Sequence, residues 1–321
     1  MSDFISLING EFSKHISVID RGLSYGDGLF ETMSWSYLDD EKVLGVEFWE
    51  RHMERIKQGC LITKIKLPST KILTNYKEKI LNECLRKGIK NGVLKIVITR
   101  GIGGRGYKFE KEIVPTVIFL SFPSKEINKK TLNTGVKLRF CEFPIFENSM
   151  LAGLKHLNRI DSVMARSEWE EDEFFDGVML DNSESIIDGT MTNLFFSKNN
   201  VLYTPIIKKS GINGIMRQVV IDNAKLFFKE VYEIEIKKKQ GCNEIVFSRL
   251  FETNYKYKKG SLGIQRFNIC AIKSNVELVP LGGIDLNNLC KLIHNFYLYI
   301  SKIVHLITVN YYYITHNFHD N

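Results

Sequence analysis

Lys155 lies in "LAGLKHL", with leucines close on both sides and no carboxylate within five positions. A lysine desolvated by apolar neighbours holds its proton less tightly and becomes an amine nucleophile and base, the property that Schiff-base chemistry requires. A lysine in such a context also commonly snorkels to solvent, and the residue alone leaves both readings open. Downstream, Ile160, Val163 and Met164 recur at helical spacing with charged residues between them. Lys155 is therefore expected just before, or at the start of, an amphipathic helix.

Four further segments carry groups of interest. "GINGIMRQVVIDNAKLFF" (211–228) sets two glycines before a helix whose apolar residues Met216, Val219, Val220 and Phe227 follow its period. The amides of Ile215 and Met216 at such a start can hold a phosphate, although most turns of this kind only open a helix. "HMERI" (52–56) places Arg55 on a helix, for a surface ion pair or for an anion. "SIIDGTMTNLF" (185–195) ends an apolar stretch on Asp188, which reads equally as a turn residue or cap. In "TRGIGGRGY" (99–107), four glycines interleave Arg100 and Arg105 directly after an apolar run. Glycine lets the backbone approach a ligand and arginine suits a carboxylate; a flexible exposed loop is the alternative.

The elements that must position these groups alternate irregularly. "MSDFISLINGEF" reads as a strand, a turn at Asn9-Gly10 and a second strand. "GVEFWERHMERIKQGCLI" reads as a basic helix with Phe48, Met53, Ile56 and Cys60 on one face, and "TKILTNYKEKILNECLRKGI" as another. "NGVLKIVITRG" and "TVIFLSFPS" are buried partner strands, and "GVKLRFCEF", "DGVML", "TNLFFS", "VLYTP", "YEIEIKKKQ" and "NEIVFS" supply strands to the second half. The mixture lacks regular βαβ alternation, which gives an α/β class of the α+β kind. Few apolar residues fall in 122–132, the expected linker between a domain at 1–121 and another at 133–250; 251–321 is a segment without a clear period.

The composition narrows the possible functions. The chain has 321 residues, 44% of them apolar, long enough for two cores. Its net charge of +7 is spread out with no nucleic-acid-binding signature. The six cysteines are scattered, which argues against a zinc cluster or disulfide framework and points to a reducing compartment. The aromatic run near the end is interrupted by Lys302, His305 and Asn310, so no membrane span is expected. The start lacks the basic and apolar regions of a signal peptide, and a cytoplasmic enzyme is the expectation.

In order and spacing, "LINGEF", "DRGLSYGDGLFETM", "HMERI", "NGVLKIVITRGIGGRGY", "LAGLKHLNRID", "DGTMTNLFFSKNNVLYTP" and "GINGIMRQ" together resemble the fold-type IV pyridoxal-phosphate enzymes. This is the group of branched-chain and D-amino-acid aminotransferases, and the resemblance covers about residues 4–247. It implies two domains with pyridoxal 5′-phosphate between them, a homodimer, and Lys155 as the lysine that bonds the cofactor. It implies Arg55 and the amides of Ile215 and Met216 on the cofactor phosphate, and Asp188 opposite the pyridine nitrogen, where the family usually has glutamate. Arg105, with Tyr107 beside it, is assigned to a substrate carboxylate. "GGRGY" with "LAGLKHLNR" favours the branch that cleaves 4-amino-4-deoxychorismate over the transaminases. After "NEIVFS" the chain departs from the family pattern.

Overall fold

The computed structural model describes residues 4–38, 43–124, 136–170, 174–198, 200–224, 226, 228–238 and 244–247. The chain divides into two compact units, Met1–Glu126 with Leu154–Arg159, and Ile127–Gly153 with Ile160–Asn321. Most of the expected linker, from 125 on, and the whole segment 251–321 lie outside the described residues.

The first unit is built on a six-stranded antiparallel sheet in the order β2-β1-β6-β5-β3-β4. Its strands are β1 (Ile5–Ile8), β2 (Glu11–Phe12), β3 (Gly28–Leu38), β4 (Val43–Val46), β5 (Asn91–Thr99) and β6 (Thr116–Pro123). Asn9 and Gly10, both at positive φ, close the first hairpin. Strand alternation sends Leu29, Met33 and Trp35 of β3 to one face, beside Leu94, Ile96 and Ile98 of β5. Helices α2 (Trp49–Thr63) and α3 (Thr70–Arg86) cover that face, with Met53, Ile56, Cys60, Leu73, Ile80 and Cys84 in the same core.

Two sequence expectations shift here. Phe48 is the left-handed residue preceding α2 rather than part of its face, and it is exposed. The strand β6 runs through Phe122 and Pro123, the first two positions assigned to the linker, because they complete the ladder with Val93 and Gly92.

The short helix α1 (Arg21–Tyr25) precedes β3 and is tied to the sheet by buried charge. The Asp20 carboxylate caps α1 through the Gly22 amide at 2.8 Å and accepts from the hydroxyls of Thr99 and Thr116.

The second unit holds two four-stranded sheets, β13-β9-β8-β7 and β12-β11-β10-β14. The first joins β7 (Leu138–Phe140), β8 (Asp176–Leu180), β9 (Ser185–Gly189) and β13 (Ile236–Lys237). The second joins β10 (Leu194–Lys198), β11 (Val201–Pro205), β12 (Glu230–Ile234) and β14 (Glu244–Phe247). "SIIDG" is thus a fully buried strand, and "YEIEIK" splits between two sheets at Glu235. Helix α4 (Ile160–Arg166) follows the lysine segment, and α5 (Ile215–Ala224) follows the glycine loop. The expected apolar stripe of α4 is exposed at Ile160, Val163 and Met164; its buried face is Asp161 and Ala165.

Among the described residues no helix is long and apolar enough to cross a membrane, and no His, Cys, Asp and Glu cluster could hold a metal. Cys60, Cys84 and Cys141 are free and buried, and burial pushes the Cys60 and Cys141 thiols up to about 12.

Truncating Ile96, fully buried at the centre of the first sheet, to alanine is expected to cost about 2–5 kcal/mol. Leu61→Ala, on the exposed side of α2, should stay within about 0.5 kcal/mol. Urea unfolding of the two variants checks the difference.

Candidate active site

In the first unit, Lys155 lies in an extended segment bonded to the start of β3. The Phe30 amide donates to the Lys155 carbonyl at 2.9 Å and the Leu157 amide to the Gly28 carbonyl at 3.0 Å, with His156 bridged to Leu29. A Cβ on Gly28 would stand 2.7 Å from both the Ile98 carbonyl oxygen and Leu157, so the close approach needs glycine there. Asn158 adds a bond to the Gly26 carbonyl at 3.1 Å. The Lys155 Nζ stands 4.5 Å from the centre of the Phe30 ring. Lys95, from β5, approaches the same ring at 5.0 Å, and burial alone lowers its pKa. Two ammonium groups thus share one aromatic ring.

The next residue, Glu31, points to the other face of β3 and is 1% exposed. Arg55 donates to Glu31 Oε1 through Nε at 2.7 Å and to Oε2 through Nη2. His52, one turn earlier on α2, meets Oε2 at 2.6 Å through Nδ1. Burial raises the Glu31 pKa, but the hydrogen bonds and charges of His52 and Arg55 outweigh it, and the net shift is downward. Arg55 is therefore no swinging surface residue. Its guanidinium is oriented by a buried carboxylate.

The glycine loop carries its two arginines to different fates. Arg100 is buried, forked onto Asp27 at 2.8 and 2.9 Å, bonded to the Thr63 and Lys64 carbonyls, and stacked 3.8 Å over Phe109. It closes the end of α2 and does not face a ligand. Arg21 bonds Asp27 at 2.9 Å and reaches the Gly106 and Tyr107 carbonyls at 2.9 and 3.3 Å. Burial raises the Asp27 pKa, and the bonds and charges of Arg100 and Arg21 bring it below its ordinary value. Arg105 and Tyr107 project from the loop so anchored, both exposed.

In the second unit, Asp188 lies near the end of β9 at 5% exposure. Its Oδ1 accepts from Asn193 Nδ2 at 3.0 Å, and its Oδ2 from the Ile212 amide at 3.1 Å. It is a buried acceptor rather than a turn cap. The Ile212 loop is bonded to Gly153 on both sides, from the Gly153 amide to the Gly211 carbonyl and from the Asn213 amide to the Gly153 carbonyl. Helix α5 opens three residues after Ile212, with Ile215 buried and Met216 half-buried. The first amides of a helix have no acceptor within it and present partial positive charge. Arg217 is buried and holds Asn213 Oδ1, the Pro205 carbonyl and Glu233. Of the expected α5 face, Val220 packs partly on Phe195, Leu202 and Ala224, and Phe227 lies outside the described residues.

Sequence reasoning missed Glu31, His52, Asn193, Lys95 and Asp27. A signal existed for Glu31 and Lys95, since each is a charge at an apolar strand position. None existed for Asn193, whose partners are fixed by tertiary contact.

Residues 28–247 match the family model described as Amino-transferase class IV. The chain belongs to the class IV aminotransferase family. An aminodeoxychorismate lyase of Vibrio harveyi is 34% identical over 233 residues, covering 71% of this chain and 79% of that protein. The crystal structure of 4-amino-4-deoxychorismate lyase from Pseudomonas aeruginosa superposes with a TM-score of 0.67 at 32% identity, covering 75% of this chain and 86% of that one. The branched-chain amino acid aminotransferase of Escherichia coli shares the fold at 22% identity, with a TM-score of 0.67 and coverage of 77% and 83%. The family assignment agrees with the resemblance read from the motifs.

The Glu31 carboxylate is charged in the fold at a lower pH than in the unfolded chain. Its contribution to stability is therefore complete above the ordinary value of 4.5 and is lost as pH falls through the lower folded value. Glu31→Gln is expected to destabilise by about 3 kcal/mol near neutral pH. The difference from wild type should shrink on acidification, as read from urea midpoints at several pH values.

Proposed function

We propose that this protein is an aminodeoxychorismate lyase that uses pyridoxal 5′-phosphate to convert 4-amino-4-deoxychorismate to 4-aminobenzoate and pyruvate. The identity with the Vibrio and Pseudomonas lyases supports the substrate, and one observation supports the chemistry. Lys155 is clamped by its backbone to β3 with its amine against an aromatic ring. A lysine used only for solubility needs no such clamp.

The residues present fit the cofactor. In the second unit, the buried Asp188 carboxylate suits a protonated pyridine nitrogen and the amides of Ile215 and Met216 suit a phosphate; in the first, the Arg55 guanidinium is of a kind that suits a phosphate. Aspartate replaces the usual glutamate without loss of the acceptor function. When bound, pyridoxal phosphate supplies an electron sink for negative charge at the carbon bearing the amine.

The chain's own groups do the rest. Asp188 would accept a hydrogen bond from a protonated ring nitrogen and so favour that proton. The free Lys155 amine would take the proton from the substrate C4 as general base. The electron pair left at C4 forms the ring double bond as the enolpyruvyl oxygen departs from C3, and that fragment becomes pyruvate on protonation. The six-membered ring becomes aromatic in the same elimination, which drives it forward. Arg105 and Tyr107, on the loop anchored by Arg21, bind a substrate carboxylate. The same reading includes a homodimer, and the buried free thiols suit a reducing compartment.

With enzymatically generated aminodeoxychorismate, wild type should release 4-aminobenzoate and pyruvate in equal amounts. Lys155→Ala should release neither and should lose the visible absorbance of bound pyridoxal phosphate. Amino transfer to a keto acid, with the substrate ring left intact, would replace this reading by an aminotransferase. Arg55→Ala should weaken pyridoxal phosphate by about tenfold or more and leave pyridoxal, which lacks the phosphate, unchanged in an absorbance titration.

A further inference from the structure

Asn193 stands where the two halves of the second unit's site meet. Its Nδ2 donates to Asp188 Oδ1 and to the Ile212 carbonyl, both at 3.0 Å. One amide nitrogen carries two hydrogens, so both bonds are made at once. The Ile212 amide returns a bond to Asp188 Oδ2 at 3.1 Å, closing a ring of three residues. Flipping the amide would set its oxygen against a carboxylate and a carbonyl, which fixes its orientation. Its other end meets Gly214, where a Cβ would fall 1.8 Å from Asn193 Oδ1. Gly214 is the residue before α5, and its carbonyl accepts the Gln218 amide of that helix at 3.0 Å.

We infer that Asn193 is the positioning residue that holds the short Asp188 carboxylate toward the cofactor ring nitrogen and ties it to the phosphate-binding start of α5. The inference rests on the pyridoxal-phosphate reading. Asp188 is one methylene shorter than the usual glutamate, so its carboxylate must be held rather than left to search rotamers. Asn193 Nδ2 and the Gly189 amide on Oδ1, with the Ile212 amide on Oδ2, do this. Through Ile212 and Gly214 the same side chain sets the loop whose amides receive the phosphate. Asn193 touches no reacting atom and acts through Asp188 and Ile212.

The test uses the full chain and 4′-deoxypyridoxine 5′-phosphate, which has the ring nitrogen and the phosphate but no aldehyde for Lys155. Affinity is read by fluorescence, and protonation of the ring nitrogen by the pH dependence of the bound ligand's absorbance. Asn193→Leu preserves the bulk but donates nothing and adds no charge, whereas Asn193→Ala removes the bulk as well. Both variants should bind about tenfold or more weakly and lose the ring-nitrogen proton at lower pH than wild type. Thermal unfolding verifies the fold, and the near-isosteric Asn193→Leu carries the test if Asn193→Ala does not fold. Wild-type affinity and an unchanged pH profile in Asn193→Leu overturn the inference alone. Failure of the wild type to bind the probe overturns the cofactor reading, and the inference with it.

Discussion

Two main-chain hydrogen bonds decide where Lys155 stands. The segment carrying Lys155 is laid against β3 by bonds from Phe30 and to Gly28, and these set the lysine's place more firmly than any side-chain contact could. A lysine has a flexible four-carbon stem and a strongly hydrated charge. Fixing its backbone against β3 limits where the amine can go, and the Phe30 ring gives it an apolar surface to lie on. The glycine at position 28 follows from the same constraint, because a side chain there would push the segment away.

Buried and half-buried carboxylates organise the rest, each by gathering donors that the backbone cannot satisfy alone. Asp20 joins the start of α1 to β5 and β6. Asp176 accepts from Gly177, Thr190 and Thr192 and so shapes the turn after Asp188. Asp27 binds two arginines and Glu31 binds an arginine and a histidine. Each cluster is costly to bury and costlier to break, so each specifies one local geometry. The candidate residues inherit that geometry: Arg55 from Glu31, the Arg105 loop from Asp27 through Arg21, and the start of α5 from Asp188.

Arginines of similar sequence context perform different work for this reason. Arg100 and Arg105 stand five positions apart in one glycine-rich stretch, yet one is buried in ion pairing and the other is exposed. Arg217, in the first turn of α5, braces the loop by holding Asn213 and Pro205. A guanidinium with several donors in a rigid fork serves either purpose, and only its neighbours select one.

The sequence by itself determined the elements with strong local signals and the identity of the chemical groups. The α2 and α3 helices, the long β5 and β6 strands and the Asn9-Gly10 turn follow from periodicity and turn chemistry. Lys155, Arg55, Asp188 and the Ile215 and Met216 amides were picked out as candidates by the order and spacing of their motifs, and the family match bears out the resemblance that those motifs carry. Tertiary structure alone decided which face of α4 is buried, since the exposed Ile160, Val163 and Met164 carry the stronger pattern. It decided that "SIIDG" is a strand, because its burial on both faces leaves no alternation to read. It also chose the partners of Glu31 and Arg100 and set Ile212 against Asn193. Those choices depend on distances between residues far apart in the chain, and hydrogen bonds between such residues leave no periodic trace in sequence.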